Sequence, residues 1–95
     1  MADNNKKIDL YDRKGGDEML KQLFLIITYK TENKINQLIL RNNKIKDPSI
    51  LNRIHFNKLL VLDLAINEIT NLKFISHMKA KKLKELYLDH NYLKS

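Results

Sequence analysis

A chain of 95 residues is long enough for one domain with a limited core, and its 18 Lys or Arg against 11 Asp or Glu give a formal net charge of +7. The absence of cysteine excludes disulfides, thiolate metal sites and a thiol nucleophile, and it is typical of a reducing compartment such as the cytosol or the nucleus. No apolar stretch is long enough to span a membrane, and the first residues lack the apolar segment of a secretory signal. We therefore expect a nuclear or cytoplasmic protein with no membrane partner.

Residues 1–34 are predicted to form a polar tail followed by a degenerate capping repeat. Residues 8–10 have the pattern of a short strand, and the Gly15-Gly16 pair interrupts the chain after it. Asp17 is a candidate N-cap for a helix. Apolar residues then recur at helical spacing, and we expect them to face the core: Met19, Leu20, Leu23, Phe24 and Ile27.

Residues 35–95 contain three segments that share apolar residues and an asparagine at the same positions, with a period of 24 residues and no gap. The segments are INQLILRNNKI from Ile35, LLVLDLAINEI from Leu59 and LKELYLDHNYL from Leu83. Their LxxLxLxxNxL spacing is that of leucine-rich repeats, in which each repeat supplies a strand to a solenoid. We predict an α/β fold, a short leucine-rich repeat solenoid with a parallel sheet on its concave side and an N-terminal helical cap. The third repeat is incomplete.

The asparagine of each repeat follows a strand, at a turn where backbone N–H and C=O groups would otherwise be buried without partners. A side-chain amide offers both a donor and an acceptor to such groups. We therefore expect Asn43, Asn67 and Asn91 to form a structural ladder along the solenoid rather than a binding site.

The segments between the repeats are predicted to return as short helices. Asp47 with Pro48 is expected to begin the first helix, and Thr70 or Asn71 the second. The residues expected to face inward are Ile50, Leu51 and Ile54 in the first, and Leu72, Ile75 and Met78 in the second, with Phe74 nearby. No return segment follows the third repeat before Ser95, so we expect its strand to be uncovered, as in a piece of a longer protein or a domain that a partner completes.

The side chains next to the core leucines should form the concave face, because side chains alternate along a strand. Besides Asp9, Gln37 and Ala65, this face contains the candidate protein-binding residues Tyr11, Ile39, Arg41, Val61, Asp63, Glu85, Tyr87 and Asp89. Exposed aromatic, aliphatic and acidic side chains together favour a protein partner. A sheet that is only solvated is the alternative, since single exposed apolar groups are ordinary.

Positive charge is concentrated elsewhere, and it invites an RNA-binding interpretation. The candidates for contact with RNA phosphates are Lys79, Lys81, Lys82 and Lys84. A second basic group is predicted at the N-terminal end, from Lys6, Lys7, Arg13 and Lys14. The alternative is a solvated rim that aids solubility, because 15 of the 18 basic residues are lysines, whereas phosphate and base recognition favours arginine.

Sequence motifs for catalysis are lacking. The three histidines are widely spaced, and no paired-carboxylate site, nucleophile elbow or phosphate-binding glycine loop occurs. We expect a protein that is not an enzyme, with no catalytic residue, metal site, cofactor or small-molecule substrate.

Residues 76–93, SHMKAKKLKELYLDHNYL, resemble the repeat domain of the nuclear mRNA export factors (the TAP family), in which a return helix leads into a KLEELWLDGN-like strand. The opening KIDLYDRKGG is similar to the isolated strand that precedes a long helix in that domain. His90 stands in place of the expected glycine and Tyr87 in place of tryptophan. These 95 residues do not include the family's RNA-recognition, nuclear-transport-factor-like or ubiquitin-associated-like domains. The resemblance implies a nuclear module that contacts an adaptor protein and RNA; the alternative is an intracellular leucine-rich repeat scaffold for protein–protein interaction without an RNA role.

Overall fold

The computed structural model describes residues 6–30 and 34–94, with all their side chains except those of residues 29 and 30. Its elements, in chain order, are β1 (Lys6–Asp9), α1 (Gly16–Lys30), β2 (Ile35–Ile39), a 3-10 helix (Ser49–Arg53), β3 (Val61–Asp63), α2 (Lys73–His77) and β4 (Glu85–Tyr87). The strands form one parallel sheet in the order β1-β2-β3-β4. The predicted α/β class with a parallel sheet is confirmed. Within the described ranges, no helix has the length and apolarity needed to cross a membrane.

The strand register follows the repeat pattern. Leu38 pairs with Leu62, and Leu62 pairs with Leu86, so that partners on β2, β3 and β4 are 24 residues apart. Ile8 of β1 pairs with Leu38. The first strand begins earlier than predicted, at Lys6 instead of Ile8, because residues 6 and 7 also pair with β2.

The core lies between the sheet and the segments that connect its strands. Leucines of β2 and β3 and of the residues just after them are fully buried, namely Leu38, Leu40, Leu62 and Leu64. The predicted inward face of α1 is confirmed, because Leu20, Leu23 and Ile27 are buried while Met19 and Phe24 pack partly buried against the core. In the first return segment Leu51 and Ile54 are buried, and Ile50 packs against the core.

Helix α2 presents a different face from the predicted one. Leu72, expected to point inward, is 43% exposed, and Phe74 is buried instead. The cause is the start of the helix at Lys73, whose N–H donates to Oδ1 of Asn71 at 3.0 Å. Because Leu72 lies outside the helix, the helical phase brings Phe74 to the core, while Ile75 and Met78 are partly buried.

Asp17, near the start of α1, acts differently from the prediction. Helix α1 begins at Gly16, which has a left-handed φ of 59°, so Asp17 lies in the first turn and is not the N-cap. Its Oδ1 instead accepts the backbone N–H groups of Lys46 and Asp47 at 2.9 and 3.1 Å, which joins α1 to the turn after β2. Asp47 accepts the N–H of Ser49 at 3.0 Å, where the first return segment begins as a 3-10 helix.

The core is less complete beneath β4. The leucines that match fully buried positions of the preceding repeats, Leu83, Leu86 and Leu88, are only partly buried, and Leu93 is 38% exposed. The side chains beneath β4 are therefore less buried than the matching side chains beneath β2 and β3.

Four residues that follow the strands in register share a left-handed backbone conformation, with φ between 53° and 62°: Asp12, Asn42, Ile66 and His90. Asp and Asn adopt this conformation at low cost, whereas a β-branched residue with positive φ is strained. Ile66 is also 37% exposed, so its side chain gains only part of the free energy of burial. At this position a β-branched residue therefore occupies a backbone conformation that is unfavourable for its side chain.

We expect Ile66→Asn to raise the free energy of unfolding by about 1 kcal/mol, because it releases backbone strain of about 1–3 kcal/mol and loses some apolar contact. Urea denaturation followed by circular dichroism measures the change. Ile66→Val is the matched control, since valine is also β-branched and should bring no gain. A lower midpoint for the Asn variant would show that the contacts of the Ile66 side chain outweigh the strain.

Candidate binding surfaces

The sheet surface opposite the core leucines forms three rows of side chains across the strands. Gln37, Val61 and Glu85 are register partners, and so are Ile39, Asp63 and Tyr87. The sheet face, as defined here, consists of Lys7, Asp9, Tyr11, Gln37, Ile39, Arg41, Val61, Asp63, Ala65, Glu85, Tyr87 and Asp89. The sequence analysis did not include Lys7 in this face, because it predicted the first strand to begin at residue 8. The alternation of residues 7, 9 and 11 along β1 could have found it.

The sheet face combines apolar groups with charge of both signs. Tyr11 and Tyr87 are 53% and 40% exposed, and Ile39 and Val61 are half-buried. Four carboxylates share the face with two cationic side chains, although the whole chain has a net charge of +7. On β1, Nζ of Lys7 lies 3.9 Å from Oδ2 of Asp9, so these two charges offset each other. The excess of acidic side chains is therefore on the β3 and β4 side of the face.

Arg41 is held across the face by two carboxylates. Its Nε donates to Oδ2 of Asp63 at 2.9 Å, and its Nη2 lies 4.0 Å from Oδ1 of Asp89. The hydrogen bond to Asp63 raises the pKa of Arg41, which stays charged. Asp63 also accepts the N–H of Ala65 at 3.0 Å and is only 8% exposed. Asp63 is therefore an internal partner of Arg41, not the open carboxylate that strand alternation predicted.

Ala65 is fully buried although it belongs to the sheet face. Its position lies between those of Arg41 and Asp89, because Asn42 N–H donates to Ala65 O and Ile66 N–H donates to Asp89 O. The guanidinium of Arg41 reaches from one side of this position to Asp89 on the other. Ala65 is therefore not available to a partner, and a larger side chain there would displace Arg41.

Tyr87 is exposed but tethered. Its hydroxyl donates to Oε1 of Glu85 at 2.7 Å, one alternation earlier on β4. This hydrogen bond, and then the negative charge of Glu85, raises the pKa of Tyr87, so the phenol stays protonated at neutral pH. A tethered aromatic side chain loses less conformational entropy when a partner binds it.

The lysines proposed for RNA contact gather near the start of β4. Phe56 N–H donates to the backbone O of Lys79 at 2.9 Å, which brings the segment of Lys79 beside that of His55. Lys79, Lys81 and Lys82 line an open cavity of about 260 Å³ with His55, Phe56 and Asn57. Lys84 lies directly before β4, where its N–H donates to Leu60 O at 2.9 Å.

The predicted basic group at the N-terminal end does not form. Lys6 and Lys7 belong to β1, whereas Arg13 and Lys14 lie in the loop beyond its other end. The N–H of Arg13 is bound to Oδ1 of Asn43 at 2.9 Å. The group is divided because an extended strand separates residues that are near in sequence.

Asn43, Asn67 and Asn91, which recur every 24 residues, form hydrogen bonds with the backbone of neighbouring turns. Oδ1 of Asn67 accepts the N–H groups of Asn43 and Ile45, both at 3.0 Å, and its Nδ2 donates to Leu40 O, Leu64 O and Ala65 O at 3.1, 2.9 and 3.1 Å. Oδ1 of Asn91 accepts the N–H of Ile69 at 2.9 Å. Each amide thus links its own turn to the preceding one.

The histidines are dispersed, since His55, His77 and His90 are all exposed on different segments. Within residues 6–30 and 34–94, no group of three or more His, Cys, Asp or Glu is arranged to hold a metal ion.

The chain matches no protein-family model, no curated protein and no solved structure in three comparisons. The sheet face and the lysines are thus the surfaces to which a function can be assigned.

Proposed function

We propose that this chain is a short leucine-rich repeat solenoid that acts as a non-catalytic binding module and holds a protein partner on the sheet face. The cross-strand register carries the proposal. It aligns positions 24 residues apart, so that each repeat adds a strand to one continuous face while its leucines fill the core. Stacked repeats of this kind create extended binding surfaces.

The chemistry of the sheet face supports a protein as the partner. Tyr11 and Tyr87 provide large amphipathic contact areas, and tyrosine is frequent among residues that dominate binding energy. Ile39 and Val61 lie between them, and charged residues surround the apolar groups. Arg41 and Tyr87 are already hydrogen-bonded in the free protein, which lowers the cost of ordering them.

Replacement of Tyr11 and Tyr87 by serine tests the proposal. We expect affinity capture followed by mass spectrometry to find proteins that bind the wild type and are lost with this variant. For a purified partner, the loss of two aromatic contacts should weaken Kd at least about tenfold, which is about 1.4 kcal/mol.

The matched control is Leu25→Ser with Ile26→Ser on α1, which removes two side chains of similar exposure, 47% and 50%, away from the sheet face. This control should capture the same proteins as the wild type. Equal capture by both variants, each folded by circular dichroism, would mean that the sheet face is only solvated.

A second candidate function adds RNA, with the chain as the repeat module of a nuclear mRNA export factor. It is favoured by the convergence of Lys79, Lys81 and Lys82 on one open cavity, with Lys84 next to them. The resemblance of residues 76–93 to that family supports the same assignment. The alternative is a leucine-rich repeat scaffold with no RNA role, in which these lysines form a solvated rim. Affinity for single-stranded RNA at low salt distinguishes the two.

A further inference from the structure

A row of lysines crosses the sheet at the start of its strands. Lys34, Lys58 and Lys82 occupy the same position in successive repeats, each directly before the first apolar residue of its repeat. Backbone hydrogen bonds hold these starts side by side, since Leu60 N–H donates to Asn36 O at 2.8 Å and Lys84 N–H donates to Leu60 O at 2.9 Å. Neighbouring strands lie about 4.8 Å apart, so the three backbone positions form a closely spaced row.

These lysines join the four near β4 in one surface, the lysine edge, which consists of Lys34, Lys58, Lys79, Lys81, Lys82 and Lys84. All six are exposed, and among the described residues none of them lies within 4.0 Å of a carboxylate. At the opposite ends of the strands the sign of the charge varies, with Lys44 in one repeat and Glu68 at the same position in the next. The lysine edge thus contains six of the 18 Lys and Arg residues of the chain.

We propose that the lysine edge is a phosphate-binding track for single-stranded nucleic acid, which crosses the strands from β4 to β2. The inference rests on the proposed RNA contact and extends it to Lys34 and Lys58, outside the original cluster. Closely spaced lysines without carboxylate partners repel each other, and a polyanion relieves this repulsion while it releases its own counterions. The row follows the stacking direction of the repeats, so a single extended strand could contact it along its length.

One observation favours nucleic acid over an anionic membrane. Interfacial membrane binding needs apolar side chains that insert beside the cations. In the described part of the chain, none of the exposed large apolar residues adjoins a lysine of this edge in the sequence: Tyr11, Leu25, Ile26, Ile66, Leu72, Tyr87, Tyr92 and Leu93. Phe56, the aromatic residue in the lysine-lined cavity, is 2% exposed and offers no ring for base stacking. The track should therefore bind phosphates without sequence preference.

Fluorescence anisotropy with a labelled oligouridylate of about 15 nucleotides, at several salt concentrations, tests the track. Four proteins are compared: the wild type, a pair variant (Lys34→Gln, Lys58→Gln), a cluster variant (Lys79→Gln, Lys81→Gln, Lys82→Gln, Lys84→Gln) and a control (Lys44→Gln, Lys46→Gln). The control removes the same charge as the pair variant, from exposed lysines beyond the other ends of the strands.

Each phosphate contact adds about 0.7 to the slope of log affinity against log salt for a single strand. The pair variant should lower the slope by about 1.4, a loss of about 25-fold in affinity at 0.1 M salt. The cluster variant should lower it by up to about 2.8, and the control should keep nearly the wild-type slope. All substituted side chains are exposed, so circular dichroism should remain unchanged.

The outcomes separate the track from the proposed RNA role. A cluster variant that loses affinity beside a pair variant that behaves as the control would retain the RNA contact and overturn the track. No affinity of the wild type at low salt would remove both, and the protein-binding function would stand. Equal losses in the pair variant and the control would show a response to net charge alone. Tighter binding to phosphatidylserine–phosphatidylcholine vesicles than to RNA, dependent on Lys34 and Lys58, would assign the edge to a membrane and overturn the proposal.

Discussion

Asn67→Ala should lower the free energy of unfolding by about 2–6 kcal/mol, because it leaves two buried backbone N–H groups without an acceptor at about 1–3 kcal/mol each. The two donors belong to Asn43 and Ile45, which are fully buried, so water does not replace the lost oxygen. Three backbone carbonyls lose a donor as well. Since small domains have a total stability of about 5–15 kcal/mol, the variant should lose a large share of its stability.

Asn91→Ala is the matched comparison, one repeat later. Its Oδ1 accepts one N–H group, that of Ile69, and Asn91 is only partly buried, so water can satisfy part of what is lost. We expect this variant to lower the free energy of unfolding by about 1 kcal/mol. Urea denaturation followed by circular dichroism measures both. Equal losses in the two variants, or an unchanged midpoint for Asn67→Ala, would refute a structural role that depends on burial.

Leu62→Ala should lower the free energy of unfolding by about 3–5 kcal/mol. This is the usual range for a fully buried leucine in a core that cannot collapse around the cavity. Leu62 is 0% exposed and lies on β3, between its register partners Leu38 and Leu86. Both neighbouring strands hold the backbone in place, so little relaxation can close the gap. For a domain of this size, each kcal/mol shifts Tm by about 4–8 °C, so the change is easily measured by thermal melting.

The equivalent substitution on β4, Leu86→Ala, should cost about 1–2 kcal/mol, because a partly exposed side chain loses only part of its transfer free energy and leaves a cavity open to water. The comparison uses the same residue type at the same position of successive repeats. Equal losses of unfolding free energy in the two variants would contradict the conclusion that the core is less buried beneath β4. A larger effect on β4 would indicate that this side is covered in solution, for instance by a second copy of the chain.

Much of the candidate site could be predicted from the sequence because its residues follow the repeat. Side-chain alternation identified Tyr87 and Ile39 as members of one surface, and the period also relates Lys34, Lys58 and Lys82, although only the last was selected as a candidate. Burial within the site could not be predicted. Alternation tells which side of a strand a residue faces, but not what lies over it, and Asp63 is covered because Arg41 reaches it from the neighbouring strand.

The sequence by itself determined the parallel sheet, its register and the leucines of its core. With a constant period, each repeat presents the same pattern to the next, so local spacing also specifies which distant residues become neighbours. Only the tertiary structure decided that Asp17 binds the turn after β2, that Leu72 is exposed and Phe74 buried, and that no carboxylate of residues 6–30 and 34–94 lies within 4.0 Å of the lysine edge. These features depend on side chains from other segments and on where a helix begins. The free energy that stabilises these features comes from contacts between residues that are not related by the 24-residue period.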